Sequence, residues 1–276
     1  MKGIAHVGAL EALEERGLLR CVKEYVGTSS GALIAFCVVL GYSLKELRTL
    51  CTLFDFTKMQ NLEPEVLLQF PEQFGLDDGE NLDRLLNVLL RAKGFSPNLK
   101  FADLSGQALR VFAVDINICE QKEFSAAATP RVELRQAVRA SMSIPIFFTP
   151  VKDSDTGNSL VDGGLIAHFP FHHLSDSERH ETLGIAFSEI HKTSDNPTNI
   201  GAFVLQLYFS VYHHQNLQLL KDWGHRIITI PCGQFPSVYF DAELEHKKAL
   251  LQSGRDGVEE FFSRKLTPPH RRKSVP

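Results

Sequence analysis

Gly27-Thr28-Ser29-Ser30-Gly31 places a serine between two glycines, where a strand-like run, Val22 to Val26, meets an apolar run, Ala32 to Leu40. A serine raised on a sharp strand-to-helix turn needs small neighbours two residues away on either side, because a Cβ there would meet the crossing backbone or block an approaching ester. The helix that follows aims unpaired N–H groups and its positive dipole end at the serine, favouring the charge that develops when an ester is attacked. Ser29 is the candidate nucleophile; a glycine-flanked turn of purely structural purpose is the competing reading. A serine hydroxyl attacks poorly unless a base takes its proton. The candidate base is Asp162, which follows the apolar Leu160-Val161 and precedes Gly163-Gly164, so that a carboxylate projects from a strand end while the backbone turns beside it. An aspartate that only orders its turn is the alternative.

Strand-like and helix-like segments alternate for most of the chain, the pattern of an α/β protein with a central, mainly parallel sheet covered on both faces. A helix over about 6–16 sets Val7, Leu10 and Leu13 against Glu11, Glu14 and Glu15 and stops at Gly17. The strand 22–26 and a buried helix 32–40 carry Ser29 between them. Ser43-Leu44-Lys45-Glu46 reads as a capping box opening a helix to about Phe54. A mostly helical insertion at about 55–100, without a good strand, is expected at the mouth of the sheet as a candidate lid. Then come a strand at 110–115, a helix at 132–141 and a hairpin turning at 153–158 that delivers Asp162. The last expected elements are a strand at 182–188, a helix near 200–220, a strand at 226–231 and a helix at 242–265.

The 276 residues, 43% of them hydrophobic, suffice for one large core, and one domain over 1–265 is expected. The basic cluster His270-Arg271-Arg272-Lys273 follows Pro268-Pro269 and marks 266–276 as a solvated, disordered tail. The net charge of −4 comes from interspersed signs, which argues against nucleic acid as a partner and leaves room for local basic contacts with a membrane. Five cysteines without a C-x-x-C pair fit a reducing compartment. The longest apolar run falls far short of the roughly 20 residues of a membrane span, so a cytoplasmic protein peripheral to membranes is expected. No metal or cofactor is implied: the pairs His172-His173 and His213-His214 would diverge on a regular element.

In combination and order these blocks resemble the patatin-like phospholipases. The nucleophile motif G-x-S-x-G stands at Gly27 to Gly31 and the aspartate motif D-G-G/A at Asp162-Gly163-Gly164, with Arg139-Ala140-Ser141-Met142-Ser143-Ile144-Pro145 and Phe147-Phe148-Thr149-Pro150-Val151 between them. Phe240-Asp241 and the helix after it look like the family's C-terminal end, so the resemblance covers nearly the whole chain. It implies a three-layer α/β/α fold and a serine–aspartate dyad. Ser29 would attack an acyl ester of a membrane phospholipid or acylglycerol, Asp162 would take its proton, and water would release the fatty acid. No histidine is required, so His6, His168, His172, His173, His213, His214, His225 and His246 are expected to be structural or at the surface; His168, where the family usually has asparagine, is the one nearest the expected pocket.

The family's oxyanion loop reads G-G-G-x-K/R-G, and Met1-Lys2-Gly3 matches only its last three positions. Lys2 and Gly3 are therefore expected to be the remnant of that loop, supported by the Ser30 N–H. Loss of even one oxyanion donor costs on the order of 10²–10³ in rate, and the resemblance thus implies a truncated form with weak activity or low stability. Three alternatives stay open. One is an α/β-hydrolase triad using His225 or His246, although the residues before Ser29 are too few for the strands such a fold needs. The others are a lipid-binding or regulatory protein without catalysis, and an acyltransferase sharing the same acyl-enzyme.

Overall fold

A computed structural model of the chain describes residues 2–62, 70–167, 169–187, 196–232 and 241–266. Its first half runs α1 (Ile4–Glu15), β1 (Glu24–Thr28), α2 (Ser30–Val39), α3 (Leu44–Leu53), β2 (Gly75–Asp77), α4 (Glu80–Ala92), β3 (Ala108–Asp115) and β4 (Glu120–Phe124). The second half runs α5 (Leu134–Ser141), β5 (Ile146–Phe148), β6 (Val151–Lys152), β7 (Ser159–Asp162), α6 (Gly164–Ala167), α7 (Asp176–Glu181), β8 (Gly184–Phe187), α8 (Ile200–Trp223), β9 (Ile227–Ile230) and α9 (Leu244–Leu266). Short turns of helix join them.

The architecture is α/β, as the alternating pattern implied. Parallel pairing joins β1 to β3, β2 to β5 and β8 to β9. The hairpins β3–β4 and β6–β7 are antiparallel, and so is the pairing of β7 with β3 that sets Asp162 opposite Ala113. Phe36, Phe101, Phe112, Phe124, Phe148 and Phe171 are among the fully buried side chains of the interior.

Local chemistry explains most boundaries. Ser43 Oγ accepts the Glu46 N–H and Glu46 returns a bond to the Ser43 N–H, closing the capping box at the start of α3. Gly17 takes a left-handed φ of 71° just past α1. In the β6–β7 turn the Gly157 N–H reaches the Asp153 carbonyl at 2.9 Å. The segment 55–100 departs from expectation in one respect, since it contains β2, paired in parallel with β5. Gly75-Leu76-Asp77 holds one large apolar residue, too few to show a strand by alternation, and only pairing with β5 makes it one. Leu82, Leu86, Leu89 and Leu90 of α4 are buried in the main core, so this segment is a wall of the domain. The polar run Glu120 to Phe124 likewise becomes β4 only through its partner β3. The basic tail, all but its first residue, and Phe240 lie outside the described residues.

Helix α1 is buried on most of its sides, and α9 packs along it at backbone distance. A Cβ on Gly8 would fall 1.8 Å from the Leu251 carbonyl oxygen, and one on Gly254 would fall 2.0 Å from that of Ala5. Pairs of Arg16 with Glu259 and of Arg255 with Glu15 flank the crossing. Substitution Gly254→Ala should therefore destabilise the fold by about 1–3 kcal/mol, because backbone must move to admit the methyl group. Gly201→Ala, in the first turn of α8 with no neighbour nearer than 3.4 Å, should be neutral or mildly stabilising. Denaturant unfolding measures both, and equal midpoints for the two variants would show that the crossing is not close-packed.

Candidate active site

β1 ends at Thr28 and α2 starts at Ser30, leaving Ser29 alone to make the turn. Its φ of 54° and ψ of −127° lie outside the helix and strand wells, a conformation that costs a non-glycine residue on the order of 1–3 kcal/mol. The two flanking glycines serve it differently. A Cβ on Gly27 would meet the Ala32 Cα at 2.6 Å, so Gly27 admits the crossing backbone; a Cβ on Gly31 would meet nothing within 4 Å, so Gly31 faces open space where a ligand can approach. Ser29 is half-buried. Its carbonyl accepts the N–H groups of Ala32 and Leu33, which leaves those of Ser30 and Gly31 without acceptors inside the helix.

The strained turn is held from outside. The Ser29 N–H donates to Ser141 Oγ at 2.9 Å, and Ser141 Oγ donates to the Phe112 carbonyl at 2.6 Å. The second bond uses the hydroxyl proton, so the oxygen lone pair is the acceptor for Ser29. Ser141 ends α5 and is fully buried.

Asp162 ends β7 with no solvent exposure. Its N–H donates to the Ser143 carbonyl at 2.8 Å, tying β7 to the turn after α5. Oδ1 accepts the Gly164 N–H at 2.8 Å and the Tyr208 hydroxyl, from α8, at 3.3 Å. Oδ2 makes no hydrogen bond of normal length, and the Ser29 hydroxyl is close enough to favour the charged carboxylate. Burial outweighs these donors and pushes the carboxyl up to about 6. Gly163 lets the chain pass, since a Cβ there would fall 2.4 Å from the Phe112 carbonyl oxygen.

Gly3 caps α1 against Ser30: a Cβ on Gly3 would fall 2.8 Å from the Ser30 Cβ. Lys2 is buried beside it. The residues expected from sequence, Lys2, Gly3, Gly27, Ser29, Ser30, Gly31, Asp162, Gly163 and Gly164, thus lie around one strand-to-helix turn and the strand end beside it. None of the described histidines hydrogen-bonds Asp162. His6 is half-buried and edge-on to Phe187, and desolvation of its ring lowers its pKa to about 4; His173 stacks on Phe112, and His168 lies outside the described residues. No group of three metal-ligating side chains occurs among the described residues.

Two residues at the site carry no local sequence signal of these contacts. Tyr208 is one apolar-looking position in a long helix, and nothing near it announces an aspartate 46 residues away. Ser141 is recognisable in sequence only as part of the block ending at Pro145. A half-buried hydroxyl near a buried carboxylate can attack an ester carbonyl, and the N–H groups at the helix start can stabilise the resulting oxyanion.

Removing the Ser141 hydroxyl leaves the Ser29 N–H without its acceptor at a strained turn. Ser141→Ala should slow labelling of Ser29 by a fluorophosphonate probe by about tenfold or more, the equivalent of one unsatisfied buried group. Ser141→Thr, which keeps the hydroxyl, should restore most of that rate at equal thermal stability. Equal labelling by wild type and Ser141→Ala would remove Ser141 from any positioning role.

Residues 1–175 match the family described as Patatin-like phospholipase. The chain is 29% identical over 282 residues to the uncharacterized protein YqhO of Bacillus subtilis, covering 95% of this chain and 94% of that one. It is also 29% identical over 173 residues to Probable lipid hydrolase 463L of Invertebrate iridescent virus 6, covering 62% of this chain and 58% of the viral protein. Among solved structures, VipD from Legionella pneumophila shares the fold with a TM-score of 0.65 at 16% identity, covering 95% of this chain and 65% of VipD. The type III effector protein ExoU does so with a TM-score of 0.54 at 16% identity, covering 97% of this chain and 52% of ExoU. With the family match spanning well over half its length and the motif residues gathered at one turn, the chain belongs to the patatin-like phospholipase family.

Proposed function

We propose that the chain hydrolyses fatty-acyl esters of glycerophospholipids or acylglycerols, with Ser29 as nucleophile and Asp162 as its base. The observation that carries this reading is the fully buried carboxylate of Asp162, whose charged form the hydroxyl of a strained serine favours and whose Oδ2 has no hydrogen-bond partner. Family membership and the relative named as a lipid hydrolase point to the same chemistry. In the acylation step Ser29 Oγ bonds to the ester carbonyl carbon while its proton passes to Asp162 Oδ2. The negative charge collects on the carbonyl oxygen, where the free N–H groups at the start of α2, and that of Gly3 beside Ser30, can donate to it. Collapse expels the alcohol, which takes the proton from Asp162, and leaves an acyl-serine. Water then gives a proton to Asp162 as its oxygen attacks the acyl carbon, and collapse breaks the bond to Ser29 Oγ, which takes the proton back from Asp162 as the fatty acid leaves.

The base is set for this work without a histidine. A carboxylate in water, with its pKa near 4, is a weak base, whereas burial raises that of Asp162 to about 6, and both donors act on Oδ1. The substrate is met at a membrane surface in this reading; no helix among the described residues is long and apolar enough to cross a bilayer.

Fatty-acid release from mixed phospholipid vesicles, measured with Ser29→Ala and Asp162→Asn beside the wild type, is the direct test. Activity lost in both variants supports the dyad. Silence in all three, with folding and vesicle binding retained, would favour a lipid-binding protein. Because Asp162 must be ionised to act, kcat/KM should rise with pH through about 6. The Tyr208 hydroxyl favours the ionised form, so Tyr208→Phe should move that limb to higher pH, and an unmoved limb would show that Tyr208 does not tune the base. The same carboxyl binds its proton more tightly folded than unfolded. Its contribution to stability is therefore full below about 4 and is lost as pH rises through about 6, a dependence that Asp162→Asn should abolish.

A further inference from the structure

Helix α8 has two unlike faces. On the inner one the Tyr208 hydroxyl reaches Asp162 at 3.3 Å, the helix packs on α6, and Trp223 at its far end lies edge-on to Phe171 with ring centres 5.1 Å apart. On the outer one Ile200, Phe203, Leu207 and Val211 recur at steps of three, four and four, which at 3.6 residues per turn makes one stripe. Ile200 is 72% exposed and the other three are about half exposed. A contiguous apolar surface left in water marks a docking site for protein or for lipid. Two observations choose lipid. The run from Ile200 to Leu220 contains no Asp, Glu, Lys or Arg, in a chain of which 22% is charged, so the charges that hold a protein partner in register are missing from this helix until Lys221. Beyond Val211 the same stripe continues as the exposed His214, Gln218 and Lys221. The face thus passes from hydrocarbon-like to headgroup-like along its length, as a bilayer does with depth.

We propose that this stripe of α8 is the surface by which the protein docks on a lipid bilayer, with Ile200, Phe203, Leu207 and Val211 entering the acyl boundary and His214, Gln218 and Lys221 staying among the headgroups. The inference rests on the acyl-hydrolase reading above and adds which surface meets the membrane. No basic residue stands where the stripe enters, so the attraction comes from buried apolar area and works on zwitterionic phosphatidylcholine. Docking by the basic cluster at 270–273 would instead need anionic lipid and would fail in salt. The helix that enters the lipid is also the one whose Tyr208 holds Asp162, so the docking surface and a partner of the candidate base are one element.

The test floats the full chain carrying Ser29→Ala with phosphatidylcholine vesicles, at low salt and at about 0.5 M. Co-flotation at both salts is expected, and adding Phe203→Asp with Leu207→Asp should cut the bound protein at least about tenfold at an unchanged thermal midpoint. Val88→Asp, at an exposed apolar position of α4, is the control and should bind as its parent does. Brominated phosphatidylcholine should quench a tryptophan placed by Phe203→Trp and leave Trp223, the one native tryptophan, unquenched. A folded chain that does not float, binding that salt abolishes, or an equal loss with Val88→Asp would overturn the proposal. So would a dimer that the paired aspartates dissolve while Phe203→Trp stays unquenched, since a second copy of the chain would then cover the stripe. Docking by Ser29→Ala beside a wild type that releases no fatty acid would uphold the surface and reject the hydrolase reading. Vesicle hydrolysis undiminished by the paired aspartates would keep the hydrolase and reject the surface, so the two fail separately.

Discussion

Ser141 accepts the Ser29 N–H and donates to the Phe112 carbonyl, and through these two bonds one hydroxyl ties the end of β1, the middle of β3 and the last turn of α5 together. The constraint matters because Ser29 occupies a backbone conformation that a serine leaves if it is free to do so. Neighbouring parts of the same frame fix the carboxylate. The Ser143 carbonyl, two residues on, holds the Asp162 N–H, and β7 pairs with β3 opposite Ala113. Nucleophile and carboxylate are thus referred to the same strand and the same turn. Strain at one is resisted by the packing that places the other.

Arg139, one turn before Ser143, extends that frame to the insertion. It is nearly fully buried, and its guanidinium donates to Ser143 Oγ at 2.6 Å and to the Asp78 carbonyl at 2.9 Å while lying over the Phe148 ring. Desolvation lowers its pKa, and the nearby carboxylates of Asp83 and Asp77 oppose that shift. Gly79 takes a left-handed φ of 76° directly against it, since a Cβ there would fall 1.9 Å from the guanidinium. A buried cation with such partners is costly to leave unpaired, so the segment that supplies Asp78 and β2 cannot drift from α5 without exposing it. The strand β2 and the turn that holds Ser29 are therefore both tied to α5, one through Arg139 and the other through Ser141.

How far the sequence could be read follows from how local each cause is. The serine turn, the capping box at Ser43, the left-handed Gly17 and the turn before Asp162 were all legible because their physics lies within a few consecutive residues. β2 and β4 were not, because Leu76 alone, or the polar Glu120 to Glu123, becomes strand only when a distant partner supplies the ladder. Tyr208 is the same case at the site: the helix around Tyr208 is legible, but the register that turns its hydroxyl to Asp162 depends on tertiary packing. The roles of Gly27 and Gly31 looked alike in sequence and differ in space, one admitting backbone and the other leaving a vacant approach.

The absence of a histidine from Asp162's described partners has a physical counterpart in where the donors sit. Gly164 and Tyr208 both bond Oδ1, so they orient the carboxylate and limit the cost of its burial while Oδ2 keeps no hydrogen-bond partner. Two donors on Oδ2 as well would lower the pKa and block proton transfer; none at all would leave the group protonated at neutral pH. The arrangement lies between these limits, with a carboxyl at about 6 that is mostly ionised at pH 7 and still basic enough to accept a proton. In the proposed reaction, placing Asp162 in the protein interior thus does for the carboxylate what an imidazole does for a triad, and the destabilisation it brings is borne by the buried core around β3 and β7.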